Sequence, residues 1–180
     1  MAINFSDFKK EEVVLLIVSA QKYLEVTMKI LKHYCNTEKN SCVYVSINRT
    51  YNTLMNLIKK EKISTDKLFV IDAITPPSAQ NKDANRVIFT GNPNGLTDIS
   101  ISATTAIKNL PGGERMLFFD SLSTLLIYND IGSITKFAHF LINKMKEWKI
   151  TGVIISLEKE TDEKLSSQLS QFVDKVVEIK

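Results

Sequence analysis

Six polar residues stand where apolar runs of this sequence end: Ser19, Asn48, Asp72, Asp120, Ser121 and Glu158. Asp120 closes the run Met116-Leu117-Phe118-Phe119. A carboxylate delivered by the end of a buried strand is what a magnesium-nucleotide site uses to hold a metal-bound water. The same pattern serves a strand-end Asp that caps the following turn, so four apolar residues and an Asp leave both readings open. Were a ligand to sit here, it would lie beyond the carboxyl ends of parallel strands. The loops after Val18, Ile47, Ile71, Phe119 and Leu157 would then have to converge on it.

Those loops need elements to position them, and short β-rich apolar runs alternate here with segments of helical period. Val13–Val18, Cys42–Ile47, Leu68–Ile71, Val87–Thr90, Met116–Phe119, Val153–Leu157 and Phe172–Ile179 are the expected strands. Helical spacing appears from Lys22 to Cys35 and from Thr50 to Lys60, where apolar residues recur three or four apart. A third helix follows the turn cluster Gly91–Gly95, with Thr97 or Asp98 as its cap, and a fourth follows Ser133 as cap. A polar helix is expected from about Thr161, and Thr75 to Arg86 has no period and is expected to be a loop. Continuous apolar strands separated by helices imply a mostly parallel sheet covered on both faces, a three-layer α/β/α sandwich with Met116–Phe119 as its central strand. Residues 1–180 carry no repeat or linker and are expected to form a single domain.

Composition narrows the function classes. The chain has 180 residues, 44% hydrophobic and 24% charged, with net charge +3, which describes an ordinary soluble domain and excludes disorder. At this length a fold hides about 70% of its unfolded surface and needs no staple. The longest charge-free run, Val87 to Thr97, falls far short of the ~20 apolar residues of a membrane span. The start of the chain lacks the pattern of a signal peptide, so a cytoplasmic location without membrane contact is expected. Cys35 and Cys42 lack zinc spacing and are expected to be buried thiols, and His33 and His139 have no partner at metal spacing. The lysines near helix carboxyl ends suit the macrodipole, and the mild net charge gives nucleic acid only weak support.

The stretch Gly112-Gly113-Glu114-Arg115-Met116-Leu117-Phe118-Phe119-Asp120-Ser121-Leu122-Ser123-Thr124-Leu125-Leu126-Ile127-Tyr128 resembles the Walker B region of KaiC-like and RecA-like ATPases. The closing Phe172–Ile179 is similar to a strand of the same family, and Gly91–Ile101 resembles stretches of its archaeal members. The resemblance spans Val13 to Ile179. It implies a RecA-like core in which ATP would lie between the first strand and the first helix.

The sequence departs from that family where phosphate would bind. The family's loop is Gly-x-x-x-x-Gly-Lys-Ser/Thr, whose glycines let amides wrap the phosphates while the Lys neutralises them and the hydroxyl reaches magnesium. Here Ser19-Ala20-Gln21-Lys22-Tyr23-Leu24-Glu25-Val26-Thr27 stands in its place, and no glycine precedes Gly91. Glu25 falls at the Lys position and would repel a triphosphate. A one-residue shift brings Thr27 to the hydroxyl position but puts Val26 at the Lys position. The remnant set is therefore Ser19, Lys22, Thr27, Asp120 and Ser121. The family's catalytic Glu after the second strand corresponds to Ile47 or Asn48, and an amide cannot act as a base. These departures imply a pseudo-ATPase with no catalytic residues, no resident metal and no cofactor, acting on a protein partner or a second copy of itself. The alternatives are a residual binder of ATP or ADP with magnesium on Asp120, or a DNA-associated accessory protein.

Overall fold

In the computed structural model, which describes residues 8–79, 86–158 and 163–180, every run expected to be a strand is one. The elements are β1 (Val13–Val18), α1 (Tyr23–Cys35), β2 (Asn40–Ser46), α2 (Tyr51–Lys60), β3 (Leu68–Asp72), β4 (Val87–Phe89), α3 (Leu96–Lys108), β5 (Glu114–Asp120), α4 (Ile131–Glu147), β6 (Thr151–Leu157), α5 (Glu163–Ser170) and β7 (Lys175–Ile179). Short 3-10 turns occupy Pro77–Ala79 and Ser123–Ile127. The strands form one sheet in the order β4-β3-β2-β5-β6-β1-β7, and every pairing is parallel. β5 is its middle strand, and β6 separates it from β1.

Because successive side chains of a strand point to opposite faces, each apolar run feeds two cores. Leu15, Val43, Val45, Leu117, Phe119 and Ile154 pack with α3, α4 and α5 on one face. Leu16, Val18, Cys42, Tyr44, Met116, Phe118 and Ile155 pack with α1 and α2 on the other. The result is an α/β fold of three layers. Asp120 shares the parity of Met116 and Phe118, which aims its carboxylate toward the α1 and α2 side.

The ends of elements differ from the sequence expectation in identifiable ways. α3 starts at Leu96 with Gly95 at the cap position, which puts Thr97 and Asp98 inside its first turn; there the Asp98 carboxylate suits the positive end of the helix dipole. α4 is capped by Asp130 rather than Ser133. Asp130 accepts the Ser133 amide at 2.9 Å and the Ser133 hydroxyl at 2.6 Å, so the serine is a donor to the cap. β7 begins at Lys175 because Asp174 is used as a tie: its carboxylate accepts the Val13 amide at 2.8 Å and meets Lys146 at 2.9 Å. The expected start of the last helix near Thr161 and part of the loop Thr75 to Arg86 lie outside the described residues.

Candidate functional site

The carboxyl end of β5 carries Asp120, which has no solvent exposure. Its register partner on β2 is Ser46, and beyond it the Ile47 amide donates to the Asp120 carbonyl at 2.7 Å, so the loop after β2 is drawn over the end of β5. That loop brings Asn48 and Arg49 to the carboxylate. Asn48 Nδ2 lies 3.3 Å from Asp120 Oδ1, and Arg49 Nη1 lies 3.3 Å from Oδ2.

Two tyrosines complete the shell. Tyr23, the first residue of α1, donates its hydroxyl to Asp120 Oδ1, and Tyr44 of β2 donates to Oδ2. The Tyr23 oxygen in turn accepts from Asn48 Nδ2 at 2.9 Å and from Arg49 Nη1 at 2.8 Å, while the Arg49 guanidinium lies 4.8 Å from the centre of the Tyr23 ring. Tyr44 stacks on Phe118, its register partner on β5, with ring centres 5.3 Å apart. Behind the carboxylate, Ser121 Oγ is 3.2 Å from Asn48 Nδ2 and 2.8 Å from Thr124 Oγ1, and Thr124 donates to Asn48 Oδ1. Both oxygens of Asp120 are thus occupied by protein donors.

Burial pushes the Asp120 carboxyl above its ordinary range, and the hydrogen bonds from Tyr23 and Tyr44 with the charge of Arg49 pull it back only in part. Burial and the neighbouring Asp120 push both phenols up as well, so each tyrosine holds its proton as a donor. A carboxylate held this way is a hub for four side chains. To reach a metal-bound water or abstract a proton, it would first have to give up those bonds.

The other residues of the remnant set lie apart from this hub. The Ser19 carbonyl accepts the amides of Lys22 and Tyr23, both at 3.0 Å, so the turn between β1 and α1 closes on itself. The Lys22 side chain is exposed and pairs with Glu25 at 3.3 Å. Glu25 faces solvent between Lys29, at 2.6 Å, and Lys22, and these two lysines hold its carboxyl below the usual range. Thr27 is fully buried, and among the described residues its hydroxyl has no hydrogen-bond partner. Of the sequence-derived set Asp120 and Ser121 share the hub, joined by Asn48, while Ser19 and Lys22 meet only through the backbone of their own turn. Among the other strand ends, Asp72 is buried and accepts the amides of Tyr51, Ile74 and Thr75 together with the Thr75 hydroxyl, which makes it a loop organiser. Cys35 and Cys42 are buried free thiols, and burial with Cys35 alongside pushes the Cys42 thiol up. Among the described residues no group of three or more His, Cys, Asp or Glu is placed to hold a metal ion, and no helix is long and apolar enough to cross a membrane.

Tyr23, Tyr44, Arg49 and Thr124 are the members that sequence reasoning missed. Tyr23 reads there as one apolar member of a helical stripe. Tyr44 did leave a signal, since a tyrosine in the middle of a fully buried strand must find a partner for its hydroxyl.

A family model described as a family of unknown function, DUF7504, matches residues 15–179. Among solved structures the fold is shared with a KaiC-like protein from the hyperthermophilic archaeon Pyrococcus horikoshii, at a TM-score of 0.71 and 10% identity over 95% of this chain and 73% of that one. A second Pyrococcus horikoshii protein gives 0.64 at 16% identity, covering 98% of this chain and 85% of its own. An uncharacterized Pyrococcus horikoshii protein, crystallised in complex with an unknown peptide, gives 0.65 at 13% identity over 94% and 78%. No curated protein matches in sequence. At these identities the likeness is one of fold, a three-layer α/β fold similar to that of a KaiC-like protein.

Proposed function

We propose that this chain, which belongs to the DUF7504 family, is a RecA-like domain that has lost nucleotide chemistry and works by binding a protein, either an active ATPase relative or a second copy of itself. The observation that carries this reading is the state of Asp120. The residue at the Walker B position is buried, and its oxygens receive Tyr23, Tyr44, Asn48 and Arg49. Arg49 supplies beside it the positive charge that a magnesium ion would otherwise bring. The phosphate side agrees: the β1–α1 turn spends two amides on the Ser19 carbonyl, has no glycine, and sets Glu25 near its end. A degenerate Walker A segment and an occupied Walker B carboxylate together describe a pseudo-ATPase. The peptide bound to one structural neighbour adds support for protein recognition on this fold.

Isothermal titration with Mg-ATP and Mg-ADP tests the reading. No saturable heat is expected. Micromolar affinity that disappears in Asp120→Ala would overturn it in favour of a residual nucleotide binder.

A further inference from the structure

Helices α1 and α2 leave between them a groove of about 620 Å³, and its floor is apolar. Met28 is buried at its base, Leu57 is half-buried, and Leu24 is 41% exposed although it belongs to the turn that carries Tyr23 inward. The rim is charged. Glu25, Lys29 and Lys32 of α1 line it on one side, and Lys60 and Glu61 at the end of α2 on the other. Glu25 is already held by Lys29 and Lys22, whereas among the described residues Lys32 and Lys60 have no carboxylate partner and Glu61 no cation partner, which leaves two unpaired cations against one unpaired carboxylate. Cations in the last turns of α1 and α2 suit the helix dipoles, but that role gives no reason for an exposed leucine beside them. The walls are helices whose backbone groups are spent internally, so a docked segment must satisfy its own backbone, which favours a helix over a strand.

We propose that this groove docks an acidic amphipathic helix of a partner protein, its apolar side chains against Leu24, Met28 and Leu57 and its carboxylates against Lys32 and Lys60. The proposal rests on the protein-binding reading above and assigns it a surface. Charge complementarity sets the sign of the partner, and the apolar floor supplies its anchor.

The test is selection of displayed random peptides, about 16 residues or some four helical turns long, on the immobilised full chain. Enriched peptides are expected to carry apolar residues at helical spacing with an excess of Asp and Glu, and Leu24→Glu should abolish their binding. Lys32→Glu with Lys60→Glu, at exposed positions that leave the fold intact, should weaken binding by roughly tenfold or more. About 0.5 M salt should weaken it as well. No enrichment, basic or uncharged winners, or winners indifferent to these substitutions would overturn the assignment. Winners that bind elsewhere would remove the groove and leave the protein-binding reading standing. Saturable Mg-ATP binding would remove the pseudo-ATPase reading and leave the groove result untouched.

Discussion

The guanidinium of Arg49 lies 3.3 Å from Oδ2 of Asp120, joining a fully buried carboxylate to a side chain that is 17% exposed. The pair is the point at which the interior of the site meets solvent. It sits in a shell whose members come from α1, β2, the loop after β2 and the segment after β5, so its loss should be felt in stability.

Arg49→Ala is expected to lower stability by about 2–3 kcal/mol, below the ~3–5 kcal/mol of a fully buried pair because Arg49 is partly solvated. The midpoint of urea unfolding measures it. A change under ~0.5 kcal/mol would mean that Tyr23, Tyr44 and Asn48 satisfy the carboxylate without it.

Tyr23→Phe and Tyr44→Phe each remove one donor from a buried acceptor without changing the packed shape. Each is expected to cost about 1–3 kcal/mol. Tyr23→Phe should be the costlier, since each oxygen of Asp120 keeps a second donor, Asn48 or Arg49, but the Tyr23 oxygen also accepts from both of those side chains. The double variant should deviate from additivity because both hydroxyls serve one carboxylate.

Opening the shell is not expected to restore nucleotide binding. Tyr23→Phe combined with Arg49→Ala should leave the Mg-ATP titration flat, because the turn from Ser19 to Lys22 still offers no glycine-built cradle. Binding gained by this variant would show that occupation of Asp120 is the whole of the block.

Two carboxylates should shape the pH dependence in opposite senses. Asp120 titrates above its unfolded value in the fold. Its contribution is fully present below the unfolded value near 4 and is lost as pH rises through the folded one. Asp174 titrates below its unfolded value, since the Val13 amide and Lys146 outweigh its modest burial. Its contribution is present above that range and is lost as pH falls. Relative to Asp120→Asn, the native chain should therefore lose stability as pH rises above ~4, and relative to Asp174→Asn it should gain as pH rises over the acid limb. Unfolding midpoints across that range decide, and a constant difference for either variant would contradict the assigned direction.

Gly113 begins the approach to β5 with φ of +117°, and a Cβ there would stand 2.1 Å from the Lys39 carbonyl oxygen. Gly113→Ala should cost well over ~1 kcal/mol, whereas Gly112→Ala, where a Cβ meets nothing within 4 Å, should stay within about ±0.5 kcal/mol. Thermal unfolding of the two variants side by side checks the contrast.

The sequence by itself determined the α/β class, the central place of Met116–Phe119 and the position of Asp120 at that strand's tip. These follow from hydrophobic period and run length, which are local properties. It also showed that no glycine lies in the β1–α1 turn, a matter of composition at one place. Helix caps were less legible, because Asp130 and Ser133 are both good capping residues and only geometry says which one accepts. The state of Asp120 was decided by tertiary structure alone. Tyr23 stands 97 positions away and Tyr44 76 positions away. Both reach the carboxylate only because the sheet order sets β2 beside β5 with β1 one strand beyond β6, and the turn after β1 delivers the first residue of α1 over the strand ends. A tyrosine in a helical stripe has the same period whether its hydroxyl meets water or a buried acid, and no pattern along the chain carries that difference.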